Sequence, residues 1–319
     1  MKNTISKYLK LNRIEFIVTW QCGGMCAHCS IGSDINRRGA NRHVLPEYAA
    51  DAVRKLSRVF DITSVMTFGG EPLYYPEVTA AIHKAATGCG VATRQIITKG
   101  YFTNGAERSK SVADMLAEAG VNNLLLSVDA FHQKNIPFEP VRRFAQDVVD
   151  AKIPGFRLHP AWLVNEEHKN PYNDETKNVL GKFSDFNIPV SKGNNVSPGG
   201  NAIKFLNEFF SDVKPDLTEG CGTAPYSDPL TKITSISIEP DGGVKVCDFT
   251  IGNIYTEDII DIVERYDPYE NEAMRSLIEG GVAGLLAYAE TKGVSVDASE
   301  YRSACNACKE IVKRLASLN

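Results

Sequence analysis

No apolar run in this chain approaches the ~18 residues that span a bilayer, so no membrane helix is predicted. A cationic excess is missing as well: 35 basic against 39 acidic side chains leave a formal charge of −4. Nucleic-acid binding normally leaves a basic footprint, so no nucleic-acid partner is expected. Met1 to Leu11 carry lysines but no apolar segment and no small-residue cleavage site. No signal peptide is read there, and the expected compartment is the cytoplasm. No internal repeat and no low-complexity stretch is present. What remains, 319 residues with 43% hydrophobic and 23% charged side chains, is an ordinary globular composition. Its length suits one large domain or a large and a small one.

Against that background eight cysteines stand out. In a reducing compartment they point to metal before disulfides. Three, Cys22, Cys26 and Cys29, form a C-x3-C-x2-C run just after a predicted strand, Ile14–Thr19. Three thiolates on one loop can hold three irons of a 4Fe–4S cubane and leave the fourth open to a ligand. A structural zinc wants four closed ligands, and His28, between Cys26 and Cys29, is awkwardly placed to be the fourth. A second set, Cys221, Cys247, Cys305 and Cys308, has the four ligands of a closed cluster, with zinc as the alternative. Cys89 reads as a structural thiol at a helix end.

The first ~200 residues alternate strand and helix patterns. Strands are predicted at Ile14–Thr19, Ser64–Phe68, Arg94–Thr98, Asn123–Val128, Phe156–Val164 and Ile188–Ser191. Helices are predicted at Pro46–Phe60, Pro76–Thr87, Glu107–Ala119, Glu139–Ala151 and Asp174–Phe183, with Pro46 and Pro76 suiting first turns. Such β-α units imply a parallel sheet with right-handed crossovers. The polar segments follow the strands, where parallel α/β folds place function. After ~205 the rhythm stops. A hairpin, Ile233–Glu239 and Val244–Cys247, turns at Pro240-Asp241-Gly242-Gly243. Helices follow at Asp258–Tyr266, Glu272–Glu279, Gly284–Lys292 and Cys308–Leu318, and the expectation is a separate, smaller unit.

The cysteine loop, with Gly69-Gly70-Glu71-Pro72 after the second strand and Ser127-Val128-Asp129-Ala130-Phe131-His132 after the fourth, resembles the signatures of the radical SAM superfamily. Pro240 to Cys247, followed by Ile251-Gly252-Asn253-Ile254, resembles the hairpin of SPASM and twitch domains. The resemblance implies an α/β fold: a partial (β/α)6 barrel over residues 1–205 and a twitch-like α+β domain over 206–319. It implies S-adenosylmethionine (SAM) as cosubstrate, a 4Fe–4S cluster on Cys22, Cys26 and Cys29, and an auxiliary 4Fe–4S cluster on Cys221, Cys247, Cys305 and Cys308. His28 would lie near the adenine. Gly69, Gly70, Glu71 and Pro72 would receive the methionine amino group, and Ser127 and Asp129 the ribose. For Asp129 a strand-end cap is an equal reading, and His132 reads as a packing histidine. Lys99 stands where the family often has Asn. Ser197-Pro198-Gly199-Gly200-Asn201-Ala202 resembles a Pro-x-Gly-Arg-Ala segment with Asn201 for the Arg.

The implied activity is reductive cleavage of SAM and hydrogen abstraction from an unactivated carbon. Arg157, His159 and Lys192 are the candidate catalytic residues facing substrate, with Trp162 and Asn194 beside them. Enzymes of this layout mostly modify ribosomally made peptides, by crosslinking, oxidation or epimerisation. No spare cysteine adjoins Cys247 to return a hydrogen atom, which disfavours epimerisation. The alternative substrate is a small alcohol of a sugar or aminocyclitol pathway. A non-catalytic iron–sulfur or zinc protein is the reading from another class. Expected partners are the peptide or small molecule and a reducing donor such as flavodoxin or ferredoxin. Too few residues precede the first strand for a leader-peptide domain, so a separate leader-binding protein is a further expectation.

Overall fold

The computed structural model describes residues 5–32, 35, 42–212, 214–224 and 227–318. Of the amino-terminal stretch read for a signal segment, residues 1–4 lie outside the described residues. Strand β1 (Leu9–Thr19) is followed by α1 (Pro46–Val59), β2 (Ser64–Gly69), α2 (Pro76–Gly88), β3 (Thr93–Thr98), α3 (Ala106–Glu118) and β4 (Asn123–Ser127). Next come the short α4 (Ala130–Gln133), α5 (Phe138–Asp150), β5 (Arg157–His159), β6 (Ala161–Trp162), α6 (Pro171–Gly181), β7 (Asn194–Asn195) and α7 (Asn201–Phe205). The chain closes with β8 (Ile233–Ile238), β9 (Gly243–Val246), β10 (Phe249–Asn253), α8 (Ile259–Glu264), α9 (Glu272–Thr291) and α10 (Ala304–Ala316).

Strands β1 to β5 pair in parallel in chain order, and the sheet is open, its edges being β5 and β10. This is the α/β partial barrel expected from the alternating pattern. Side-chain alternation along the strands sorts its two faces. Ile14, Phe16 and Val18 of β1 pack with Ala49, Val53 and Leu56 of α1 in one core. Leu124 and Leu126 of β4 pack with Val112, Leu116 and Phe144 in another. The opposite, concave face carries Arg13, Glu15, Ser127, Arg157 and His159, so the helix-covered side is dry and the inner side polar.

Three expectations change in detail. The fifth strand breaks into β5 and β6 at Pro160, which has no N–H to donate to a ladder. The sixth predicted strand, Ile188–Ser191, makes only a parallel bridge, Leu158 to Val190, with β7 following at Asn194–Asn195. The carboxy-terminal segment also builds no sheet of its own. Strand β8 pairs in parallel with β1, from Leu9 opposite Ile233 to Phe16 opposite Ile238, and β9 and β10 extend it antiparallel. Apolar residues of α8, α9 and α10 join the same core as β1 and α1. Helix α9 is kinked at Gly281, where φ is 61° and ψ is −160°, close to the break expected between Glu279 and Gly284. Among the described residues no helix is long and apolar enough to cross a membrane.

Candidate metal and substrate site

The loop after β1 is irregular, and other segments hold it. Gly70 N–H donates to Thr19 O (2.7 Å) and Glu71 N–H to Gln21 O (2.8 Å). A Cβ on Gly70 would stand 2.2 Å from Gln21 O, and one on Gly69, at φ 130°, 2.6 Å from Thr19 O. The Gly69-Gly70 pair is therefore required by backbone packed on backbone. Tyr74 Oη accepts from Gly23 N–H (3.0 Å), and Cys29 N–H donates to Cys26 O (3.1 Å).

Cys22, Cys26 and Cys29 are free thiols on this loop. Burial, then Asp129 and the other two thiols, pushes Cys26 up to about 12. The Lys99 ammonium lies 3.3 Å from Cys22 Sγ and is almost wholly buried. Burial works against its charge, and Glu71, Cys22 and Tyr74 outweigh that to raise it above the usual lysine range. The position where the family often has Asn thus supplies a cation to the Cys22 sulfur.

Glu71 is fully buried at the end of β2. Its Oε1 accepts from Leu73 N–H (3.0 Å) and Thr98 Oγ1 (2.6 Å), its Oε2 from Lys99 N–H (3.1 Å). Burial raises its pKa despite Lys99 and these donors. Three of its roughly four acceptor positions are taken, so it ties β2 to β3, and Pro72, also buried, opens the 3-10 turn Pro72–Tyr74.

Of the two readings of Asp129, the strand-end cap is the one its contacts make. Asp129 is fully buried and caps α4. Its Oδ1 accepts from Phe131 N–H (3.0 Å) and His132 N–H (2.9 Å). Its Oδ2 accepts from Ala161 N–H (3.2 Å), and His132 Nδ1 lies 2.9 and 2.8 Å from the two oxygens. Burial alone would raise its pKa, but His132 and the N–H donors hold it down at about 2. With both oxygens so engaged, none is left for a ribose hydroxyl: the cap reading is the one the geometry carries. Ser127, nearly buried, faces inward opposite His159.

The His28 ring packs tilted against Phe131 (4.8 Å) and edge-on against His132 (4.9 Å), and burial lowers it to about 4, so the ring is neutral. Its Nδ1 is buried without a partner. One potential ligand atom each from His28, Asp129 and His132 lies within 4.8 Å of the others, the tightest such convergence among the described residues. Gly24 leaves the sulfurs room: a Cβ there would stand 3.4 Å from Cys26 Sγ and 3.7 Å from Cys22 Sγ.

Cys221, Cys247, Cys305 and Cys308 converge from three segments. Burial raises Cys308 far above the thiol range, with Cys221, Cys247 and Cys305 each adding to the rise. Cys247 turns at φ 54° just after β9, which aims the residue away from the strand direction. Cys308 is buried on α10. Cys89 is exposed at the carboxy-terminal end of α2.

A cavity of about 990 Å³ opens next to the first cysteine loop and reaches Cys247; Cys22, Cys26 and Cys29 are not in its wall. Trp20, Ser30 and Phe68 line it beside the first loop, Cys247 and Asp248 beside the second set. Arg157 and His159 share the inner sheet face. Arg157 Nη2 donates to Asn123 Oδ1 (2.7 Å), and His159 Nδ1 lies 2.8 Å from Ser191 Oγ. Arg157 Nε and His159 Nε2 are buried without partners. Burial, then Arg157, lowers His159 below the usual histidine range. Lys192 is exposed and does not join them; its carbonyl accepts from Trp162 Nε1 (2.9 Å), and Trp162 is core. Sequence reasoning passed over Lys99, Asn201 and Asn306 as site residues. The only signals for them were a motif position and a place between two cysteines.

The family model described as Radical SAM superfamily matches residues 16–200. Two solved structures of anSMEcpe with bound AdoMet, one native and one carrying a histidine tag, match with TM-scores of 0.51 and 0.50. Each is 15% identical over 97% of this chain, and 99% and 94% of their own lengths are covered. BtrN in complex with AdoMet and 2-DOIA gives 0.47 at 16% identity, over 86% of this chain and 89% of that one. At these identities the likeness is one of fold. No curated protein sequence matches the chain.

Proposed function

Because the chain belongs to the radical SAM superfamily, we propose that it cleaves SAM reductively at the Cys22–Cys29 loop and acts on a compact substrate held between its two cysteine sets. When bound there, a 4Fe–4S cluster and SAM supply a 5′-deoxyadenosyl radical able to take hydrogen from an unactivated carbon. Cys22, Cys26 and Cys29 are the three ligands in this reading. Lys99 sets the charge beside Cys22, Glu71 and the Gly69-Gly70 pair shape the floor, and neutral His28 offers its ring as one wall. Ser127 is retained as a SAM contact, and Asp129 acts by holding His132 against His28. Cys221, Cys247, Cys305 and Cys308 would hold a closed auxiliary cluster in a twitch-like segment, 206–319, and a low-potential one-electron donor completes the system.

The observation that carries this reading is the first cysteine loop clasped by the Gly69–Glu71 turn and Lys99, beside a cavity that runs from Trp20 and Ser30, which flank that loop, to Cys247. The cavity volume lies within the ~300–1,000 Å³ of small-molecule sites. Lys245, Lys292, Lys309 and Lys313 line it against Glu239 and Asp248, so a substrate with an anionic or strongly accepting group suits it. Arg157 and His159, whose unpartnered buried nitrogens lie on the inner sheet face and not in the wall of this cavity, are kept as candidates for a further contact to substrate. Hydrogen abstraction followed by transfer of the second electron to the auxiliary site would be an oxidation.

The test is anaerobic reconstitution with iron and sulfide, reduction by dithionite, and chromatography for 5′-deoxyadenosine. Its formation is expected; a reduced cluster whose spectrum ignores SAM overturns the reading. Candidate small alcohols and short peptides are then compared for consumption coupled to 5′-deoxyadenosine. Loss of two hydrogens from a small anionic substrate is expected, whereas coupled turnover of a peptide alone would return the peptide-modifying alternative.

A further inference from the structure

The two cysteine sets are joined by a short segment that neither needs as a ligand. After β7 the chain runs through Pro198-Gly199-Gly200-Asn201 between them. On one side Asn201 N–H donates to Cys29 O (2.9 Å) and Asn201 Nδ2 to Cys26 O (3.1 Å). On the other, Asn306 Nδ2, from the turn between Cys305 and Cys308, donates to Pro198 O (2.8 Å). The intervening glycines are fitted to one set each. A Cβ on Gly199 would stand 2.7 Å from Asn306 Oδ1. A Cβ on Gly200, at φ 56° and ψ −128°, would stand 2.4 Å from Cys29 O.

We propose that Pro198–Asn201 is a strap that fixes the first cysteine loop against the Cys305–Cys308 turn, with Asn201 and Asn306 as positioning residues that couple the two metal sites. The physical reason lies in the first loop. It is irregular backbone whose position is set by groups outside it, Tyr74 near its start and Asn201 near its end. Ordering the carboxy-terminal turn therefore orders the carbonyls of Cys26 and Cys29 through one hydrogen bond to Pro198 and then two in parallel from Asn201. A site held to within ~0.5 Å needs such outside support. This inference rests on the reading that both sets hold clusters only for its functional consequence; the strap itself is testable on the chain as isolated.

The experiment uses Asn306→Ala, which removes the donor to Pro198 and keeps every cysteine, and Gly199→Ala, which presses on the same amide from the other side. Hydrogen exchange read by mass spectrometry on peptides covering residues 22–30 is the first readout. Each single variant is expected to speed exchange there about fivefold, the loss of one ordinary hydrogen bond. In the double variant Gly199→Ala is expected to add nothing further, because its Cβ no longer meets the Asn306 side chain. SAM affinity, read from the change SAM causes in the spectrum of the reduced cluster, should fall in parallel with iron content unchanged. Unchanged exchange at 22–30 in both single variants, or additive effects in the double variant, overturns the strap. Absence of any SAM response in the unmodified chain would instead overturn the proposed function, while the exchange result still decides the strap.

Discussion

The first cysteine loop and the carboxy-terminal cysteine set reach their geometry by different routes. The first places three thiols within eight residues of one loop, and its neighbours only have to hold that loop still. The second draws Cys221, Cys247 and the Cys305/Cys308 pair from separate segments, so it exists only once β8, β9 and α10 have docked on β1 and α1. A local site survives moderate loss of tertiary packing, and an assembled site does not. The two should therefore fail differently when the molecule is perturbed.

The largest contrast is expected on removing one ligand from each. Cys26→Ala should abolish 5′-deoxyadenosine formation altogether. Cys308→Ala should keep SAM cleavage and lose substrate turnover, with iron falling from about eight to about four per chain. Loss of SAM cleavage in both variants would erase the distinction.

Next comes Asp129→Ala, which leaves the buried donors of Phe131, His132 and Ala161 unmatched beneath the first loop. We expect a loss of about 3 kcal/mol in urea unfolding at neutral pH, the cost of leaving buried hydrogen-bond donors unsatisfied. The carboxyl is held at about 2 in the folded chain against ~3.9 unfolded, so its contribution is complete above pH ~4 and lost as pH falls through 2. The difference between Asp129→Asn and the parent should shrink over that interval in acid unfolding.

Gly281→Ala tests the second set. The kink of α9 lies against Thr218 and Glu219 of the loop carrying Cys221, and a Cβ there would stand 2.5 Å from Thr218 O. A cost of about 2 kcal/mol is expected from the strained backbone alone. Iron should be lost selectively from the carboxy-terminal site, with 5′-deoxyadenosine formation preserved. The smallest effect is reserved for Lys99→Met. Removing the cation beside Cys22 should move the first cluster's midpoint negative by on the order of 50 mV, about one tenfold step in a one-electron equilibrium, and Lys99→Arg should restore most of it. A spectroelectrochemical titration reads the shift, and equal midpoints in all three proteins would remove Lys99 from the site.

Much of the fold was legible because helices and strands have local periods. Helices α1, α2, α3 and α5 stand within a residue or so of where apolar spacing places them. Strand β10 was missed because Phe249–Asn253 is short, contains Gly252 and is defined by its antiparallel pairing with β9. For Asp129 the sequence left a ribose contact, implied by resemblance, and a strand-end cap as equal readings, and the first turn of α4 supplies the donors that make the cap, which no alternation rule counts. Lys192 was grouped with Arg157 and His159 by position along the chain, and the irregular path after Val190 leaves it exposed.

The sequence by itself determined the ligand loop, the alternation that builds a parallel sheet, and the count of four further thiols, because each depends on neighbours a few residues apart. Only the tertiary structure decided that β8 joins β1, that Lys99 reaches Cys22, and that Asn201 and Asn306 tie the two cysteine sets together. Those contacts form when apolar faces far apart in the chain are driven out of water onto one another, and a polar atom's partner is settled by that packing.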